Sequence, residues 1–475
     1  MNTESYNNSD PYSECNAATK YSLRITVREV TTKKFEIMEL LLKVLDDANI
    51  ETAYKQVVRN GGSKGVDGVT TEQLQDYMQR HWADIKQKIT EGLYIPNQVR
   101  GVEIPKPKGG KRLLGIPTVI DRLIQQAIHQ VLNPMFDIDF SEHSYGFRKG
   151  RNAHQAIFQA QSYINQGYRF IIDLDLKSFF DLVNQDYLMS LLHRKIKDNL
   201  LLKLIRHYLQ SDIMIGGLSQ QRGKGMPQGS PLSPLLSNII LNESDKELEN
   251  RGLRFVRYAD DCSIFVRSKI AAFRVKRSIT KFIETKLHLK VNEEKTNICR
   301  PFQYSVLGYS FVPVYSKGSK GKYQLRVSPE SIKRMKLKIK EITRKTSPVS
   351  FDERIKKLNA FARGWINYFK YANFSVKLKE LDAWIRNRLR YCIWKHWKKP
   401  NKRMRSFIRL GIPKGKAYAW SHSRLGGWAI AQSPIMNTTV TVERLRKRGY
   451  VSFSDLYSKS HRTLSFDTQY KLSFW

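Results

Sequence analysis

The chain has 475 residues, of which 82 are Lys or Arg and 43 are Asp or Glu, so its formal net charge is +39. With 41% hydrophobic and 11% aromatic residues it can build two or three cored domains, which excludes wholesale disorder, and the charge excess points to a polyanionic partner. Apolar runs stay well under the ~18–20 residues a membrane span needs. Cys15, Cys262, Cys299 and Cys392 are widely spaced with no Cys-x-x-Cys, which argues against a disulfide framework and a zinc module.

Residues 1–30 are polar and aperiodic and read as a disordered tail. They carry no basic and apolar leader pattern, so a cytoplasmic location is expected. From Thr32 to about Ile89 apolar positions recur at three and four (Phe35, Met38, Leu41, Leu42, Leu45). The turn-rich GGSKGVDGVT at 61–70 interrupts them, predicting helix, loop, helix. VRGVEIPKP then runs into Gly109-Gly110 and emerges as RLLGIP, a hairpin. A long helix is expected from Asp121, with Leu123, Ile124, Ala127, Ile128, Val131 and Leu132 on one face. FIIDLDL (170–176) is a strand, GMPQGSPLSP (225–234) is a loop opening a helix in which Ser233 is the expected N-cap, and RFVRYADDCSIFV (254–266) is two strands around a charged turn.

Composition shifts after residue 330. Residues 331–420 hold 26 Lys+Arg against 5 Asp+Glu, more than half of the excess charge. Leu358, Phe361, Trp365 and Phe369, then Leu381, Trp384, Ile385, Leu389 and Ile393, keep helical spacing, so a folded helical domain with basic outer faces is expected. Such a charge run is commonly just a solvated face. Its density here, with Tyr391, Trp394 and Trp397 interleaved, favours a phosphate-tracking surface with stacking platforms.

Against this basic background, acids sit on apolar strands. Asp173 and Asp175 alternate with leucines and share one strand face, and Asp260 and Asp261 are adjacent at a turn. Clustered carboxylates repel unless something positive joins them. A divalent cation is the natural partner, since hard oxygen ligands suit Mg²⁺ and a two-metal site serves in-line phosphoryl displacement. An Asp-Asp pair at a hairpin is on its own ordinary turn chemistry.

The order of blocks gives the pair its company: IPKPKGGKRLLGIPTVIDRLIQQAI (104–128), SYGFRKGRNAH (144–154), DLDLKSFFD (173–181), GMPQGSPLSPLLSNIIL (225–241), YADD (258–261), LKVNEEKT (289–296) and VLGYSF (306–311). This series resembles the reverse transcriptases encoded by bacterial group II introns. NGGSKGVDGVT resembles that family's N-terminal extension, and residues 358–399 resemble its maturase domain. The chain is most similar to the compact class C type that lacks a C-terminal zinc-containing endonuclease.

The resemblance implies an α+β fold of the right-hand polymerase type, with fingers, a palm built on an antiparallel sheet and an α-helical thumb. An N-terminal extension would occupy 31–95, fingers and palm 96–325, a basic helical thumb and maturase domain 326–420, and a DNA-binding-like region with a tail 421–475. It further implies that Asp175, Asp260 and Asp261 hold two Mg²⁺ ions, with Mn²⁺ a possible substitute, and that Asp173 is the lesser candidate. Phe180 would lie under the incoming sugar and exclude a 2′-hydroxyl, while Phe179 is a core ring. Lys106 and Arg112 would clamp the triphosphate, Gln228 would sit near the nucleotide sugar, and Lys295 would protonate departing pyrophosphate, unless it is simply a surface ion pair beside Glu293 and Glu294. Arg148, Arg151, Tyr258, Arg363, Trp365, Arg386 and Arg390 are the implied nucleic-acid contacts. The implied partners are group II intron RNA, an RNA template with a DNA primer, dNTPs and target DNA, in a bacterial, nucleoid-associated setting. No membrane and no small-molecule cofactor is implied. A splicing factor acting mainly by RNA binding and a domesticated enzyme of DNA repair or defence remain as alternatives.

Overall fold

The computed structural model describes residues 39–105, 109–315 and 321–460, so the expected tail at 1–30 falls outside the described residues. The chain divides into two units, with boundaries at Ala160/Gln161, Arg169/Phe170 and Ile298/Cys299.

In the first unit two helices, Glu39–Val44 and Asp47–Asn60, stand where one was expected before the loop, and the expected stripe residues Phe35 and Met38 fall outside the described residues. Helix Asp47–Asn60 is capped by Asp46, whose carboxylate accepts from the backbone N–H of Ala48 and Asn49, and it ends at Gly61 with φ 60°. Helix Leu74–Thr90 follows the loop. β1 (Val99–Pro105) and β2 (Lys111–Ile116) form the antiparallel hairpin, in register from Arg100↔Ile116 to Pro105↔Lys111. Helix Val119–Asp137 starts two residues earlier than its periodicity suggests because the Thr118 hydroxyl caps it. The first-turn Asp121 is buried and accepts from Tyr94 Oη (2.8 Å), Thr118 Oγ1 (2.6 Å) and the Asn97 N–H (3.1 Å).

β3 (Phe170–Leu174), β4 (Ile213–Ile215), β5 (Leu218–Gln220), β6 (Arg254–Tyr258), β7 (Asp261–Val266) and β8 (Asn297–Cys299) complete two sheets of order β2-β1-β4-β5 and β6-β7-β3-β8. Ile171, Ile172, Leu174, Phe255 and Ile264 carry the second sheet into the core. Its inner helix, Ser233–Asn250, is buried along most of its length. Ser233 is not the cap: the helix begins at Ser233 itself, and the hydroxyl donates instead to the Pro227 carbonyl at 2.6 Å.

The second unit contains β9 (Ser305–Val306), β10 (Tyr309–Pro313) and β11 (Tyr323–Val327), followed by helices. Helix Phe351–Phe369, capped by Ser350, buries Leu358, Ala362, Ile366 and Phe369. Helix Ser375–His396 buries Leu381, Ile385 and Leu389. Leu358 and Phe369 of the first expected stripe and Leu381, Ile385 and Leu389 of the second therefore face a core, while Phe361, Trp365, Trp384 and Ile393 stay partly exposed. Two expected stacking platforms do not exist as such. Trp394 and Trp397 are only 2% and 7% exposed and pack around Phe407, because the apolar face of the preceding helix continues through them. Asp382 is also buried, and accepts from the backbone N–H of Phe453 (2.8 Å) and Ser454 (2.9 Å), which pins the segment 453–460. No helix among the described residues is long and apolar enough to cross a membrane.

Candidate active site

The β6–β7 hairpin closes through Tyr258↔Asp261, leaving Ala259 and Asp260 as a two-residue turn. Ala259 takes φ 57°, a left-handed conformation that costs an L-residue roughly 1–2 kcal/mol and that surrounding structure must hold in place. β3 pairs with β7 up to Leu174↔Cys262, so the chain reaches Asp175 one register step on, beside Asp261. Asp173 pairs across from Ser263, whose hydroxyl donates to it at 3.4 Å.

Four carboxylates thereby crowd the end of the sheet. Burial raises Asp173 to about 6, against the pull of Ser263 and with a push from Asp175. Desolvation, followed by repulsion from Asp260, Asp173 and Asp175, likewise raises Asp261 to about 6, although the residue keeps an exposed flank and Lys295 pulls the other way. Asp175 is fixed from behind by residues 289–296: its backbone N–H donates to Thr296 Oγ1 at 3.2 Å, its carbonyl accepts from the Asn292 N–H at 2.8 Å, and Lys295 Nζ lies 3.3 Å from its carboxylate. Lys295 thus pairs with Asp175, rather than with the glutamates next to it in sequence.

Asp260 borders a cleft of about 810 Å³ lined also by Arg112, Phe180, Gln228 and Arg122 among others. Residues 179–182 form a short helical turn after Ser178 (φ 44°). That turn separates the two rings: Phe179 is 3% exposed, while Phe180 is half-buried at the cleft. The loop 225–229 is stitched to both walls. The Met226 N–H donates to the Phe180 carbonyl at 2.7 Å and the Gly115 N–H to the Gln228 carbonyl at 2.7 Å. A Cβ on Gly229 (φ 110°) would stand 2.7 Å from the Gly115 oxygen, so only glycine fits that approach. Arg112 Nε donates to Gln228 Oε1 at 2.6 Å. Lys106 lies outside the described residues.

A family model for reverse transcriptase (RNA-dependent DNA polymerase) matches residues 104–311, and one for the group II intron maturase-specific domain matches residues 332–410. Protein YkfC of Escherichia coli is 31% identical over 272 residues, covering 49% of this chain and 71% of that protein. Group II intron-encoded protein LtrA of Lactococcus lactis is 29% identical over 323 residues, 54% of each chain. The putative COX1/OXI3 intron 1 protein of Saccharomyces cerevisiae is 28% identical over 314 residues, 54% of this chain and 37% of that one. The chain belongs to the group II intron-encoded reverse transcriptases. It spans about half the length of LtrA.

In this reverse transcriptase the sheet β6-β7-β3-β8 gathers carboxylates at one end, hard oxygen donors of the kind a divalent-metal enzyme requires. Among the described residues no group of three or more His, Cys, Asp or Glu that could hold a metal ion is assembled by side chains alone. An open set of carboxylates, two of them raised chiefly by burial and further by their neighbours' charge, fits a hard cation that takes one or two carboxylates and fills its remaining positions with water and substrate phosphate.

The implied nucleic-acid contacts divide. Arg363 is exposed, and Arg386, Trp365 and Tyr258 are partly exposed. Arg151 pairs with Glu142 and lies over the Tyr145 ring at 5.7 Å. Arg148 and Arg390 are corrections. The Arg148 side chain is 5% exposed and bonds Asp137 and the carbonyls of Ser141 and Ser144. Arg390 is buried and donates through Nε to the Val440 carbonyl at 3.0 Å. Both guanidinia are committed inside the fold. Sequence reasoning also missed Arg122 in the cleft wall, which donates to the carbonyls of Gly61 and Ser63. It missed Arg257 beneath the YADD turn as well. Both sit in apolar helix or strand runs where an arginine is out of place, and that was the available signal.

Proposed function

We propose that this chain copies intron RNA into cDNA during retrohoming and acts as a maturase that assists splicing of its group II intron. Residues 31–95 would be the N-terminal extension, 96–325 fingers and palm, 326–420 thumb and maturase domain, and 421–475 a DNA-binding-like region. The observation that carries the reading is the cleft itself, in which Arg112, Gln228 and Phe180 face the aspartate turn across a space of about 810 Å³, ample for a nucleoside triphosphate.

Asp175, Asp260 and Asp261 would hold two Mg²⁺ ions, with Mn²⁺ able to substitute. When bound, the ions supply activation of the primer 3′-hydroxyl and neutralisation of the leaving pyrophosphate. Arg112 presents a planar fork to the triphosphate, Gln228 orients the sugar, Phe180 fills the space a 2′-hydroxyl would need, and Lys295 can pass from Asp175 to the departing phosphate. A second cleft of about 830 Å³ in the helical unit, lined by Lys338, Arg344, Lys357 and Phe361, supports a grip on structured intron RNA through phosphate contacts. The expected substrates are a primed RNA template and dNTPs, with intron RNA and target DNA as partners in a bacterial cytoplasm. Primer extension on an RNA template tests the reading: the wild type extends with dNTPs and not NTPs, and Asp260→Ala does not extend while binding intron RNA with unchanged affinity. Extension by Asp260→Ala at the wild-type rate overturns the assignment.

A further inference from the structure

Beneath the aspartate turn lies a polar cluster sealed from solvent. The Arg257 side chain is 1% exposed and that of Asp245 is 0% exposed. Arg257 Nε donates to Asp245 Oδ1 at 2.8 Å, and one terminal nitrogen to Asp245 Oδ2 at 2.6 Å. Its other terminal nitrogen donates both to Asn238 Oδ1 at 2.8 Å and to the carbonyl of Ala259 at 2.9 Å. Asn238 and Asp245 are seven residues apart on helix Ser233–Asn250, so one helix face presents both acceptors. The Asn238 side-chain amide in turn donates to the Gly146 carbonyl at 3.0 Å. Gly146 lies against the turn so closely that a Cβ there would stand 2.2 Å from the Ala259 nitrogen.

These contacts converge on one peptide plane. The Ala259 carbonyl belongs to the planar Ala259–Asp260 unit, so fixing its oxygen fixes the direction in which Asp260 leaves the turn. Ala259 is held left-handed without being glycine, which requires a restraint from outside the hairpin. A guanidinium is the group that can meet a carboxylate through two donors and still reach two carbonyl-type oxygens.

Resting on the polymerase reading, we propose that Arg257, clamped by Asp245 and Asn238, is a positioning residue for catalysis: it sets the Ala259–Asp260 peptide and thereby aims Asp260 and Asp261 at the metal and the incoming nucleotide. An ammonium cannot reproduce the fork, so Arg257→Lys keeps the charge on Asp245 but lets the turn swing. The paired variant Asp245→Leu/Arg257→Met removes the ion pair and the carbonyl bond together, leaving no buried unpaired charge.

The test uses the full chain with three readouts: primer-extension kinetics, Tm, and binding of Mn²⁺ to the nucleic-acid-free protein by electron paramagnetic resonance. Both variants are expected to lose about 10–100-fold in kcat, with the KM for dNTP within about twofold, because an error near 1 Å in the reacting geometry can cost 10²-fold. Mn²⁺ binding should weaken by about 5–10-fold, as expected when supporting contacts to a metal's ligands are lost. A variant with wild-type kcat and wild-type Mn²⁺ affinity overturns the proposal, as does a kcat loss that merely tracks the folded fraction with Mn²⁺ affinity unchanged. If the paired variant does not fold, Arg257→Lys alone decides. If the wild type fails to extend primers while Arg257→Lys still loses Mn²⁺ affinity, the polymerase reading falls and the positioning role stands. A fully active Arg257→Lys beside an inactive Asp260→Ala sinks the positioning role alone.

Discussion

Arg112 Nε donates to Gln228 Oε1 at 2.6 Å, joining the β1–β2 hairpin to the 225–229 loop at the wall of the cleft. The bond turns the amide oxygen toward the guanidinium. Arg112→Lys should therefore disturb two proposed contacts at once. The KM for dNTP is expected to rise about tenfold, with kcat reduced less, from losing a charge-assisted contact of about 1.5 kcal/mol. Gln228→Ala in the Arg112→Lys background should add little, and full additivity in that double-mutant cycle would contradict the coupling.

Phe180 is the ring left half-buried at the cleft while Phe179 packs inside, their planes at 77°. Replacing Phe180 by Val should lower the dNTP-over-NTP ratio of kcat/KM by about 10–100-fold, the range a missing apolar group commands. A competition assay with a fixed primed RNA measures it, and an unchanged ratio would return Phe180 to the role of a plain packing residue.

Asp173 is held at about 6, above the unfolded carboxylate value, chiefly by burial. The folded state then binds the proton more tightly than the unfolded chain does. Stability from this group is present in full below about pH 4, declines as pH rises toward 6, and is absent above it. Asp173→Asn should thus match the wild type in urea unfolding near pH 4 and exceed it by about 1–3 kcal/mol at pH 8. A variant less stable at pH 8 would mean that the carboxylate has a partner in the fold that outweighs its burial.

Lys295 and Asp175 form a pair at the surface, with side-chain exposures of 64% and 33%. Lys295→Ala should change stability by less than about 1 kcal/mol. Freed of the ammonium, Asp175 should take up Mg²⁺ at about two- to threefold lower concentration, an effect of the size expected for one screened charge. If Lys295 also serves departing pyrophosphate, kcat will fall in the same variant, and the two effects separate in a Mg²⁺ titration.

Affinity for intron RNA should fall steeply with salt, since log K declines by about 0.7–0.9 per phosphate neutralised. Replacing Arg344 and Lys357 in the helical cleft should lower that slope by about one each. Arg390→Ala should instead act on Tm, because its guanidinium serves the Val440 carbonyl.

Much of the site was legible because its chemistry contradicts its surroundings. Aspartates on apolar strands, glycines and prolines around Gln228, and a Lys-rich hairpin all stand out from a one-dimensional pattern. The palm sheet and the two apolar stripes of the helical unit were legible for the same reason, from periods of two and 3.6. What escaped depends on partners distant in sequence. Trp394 and Trp397 read as stacking platforms because their basic neighbours hid a continuing core stripe, and only Phe407 reveals it. Arg148 and Arg390 read as nucleic-acid contacts, whereas backbone carbonyls occupy both guanidinia. Phe180 reaches the cleft from a short helical turn, since the left-handed Ser178 redirects the chain there, and no one-dimensional pattern announces that turn.

The connectivity of the two units has a practical consequence. Residues 161–169 belong with the helical unit, where Asn165 and Gln161 bond the backbone of Tyr323, yet they are flanked on both sides by sequence of the first unit. A polypeptide stopped at residue 298 would keep this stretch and lose what it bonds to. Cutting the gene in two therefore cannot yield two self-sufficient halves, and any split version must supply that nine-residue insert to the fragment that needs it.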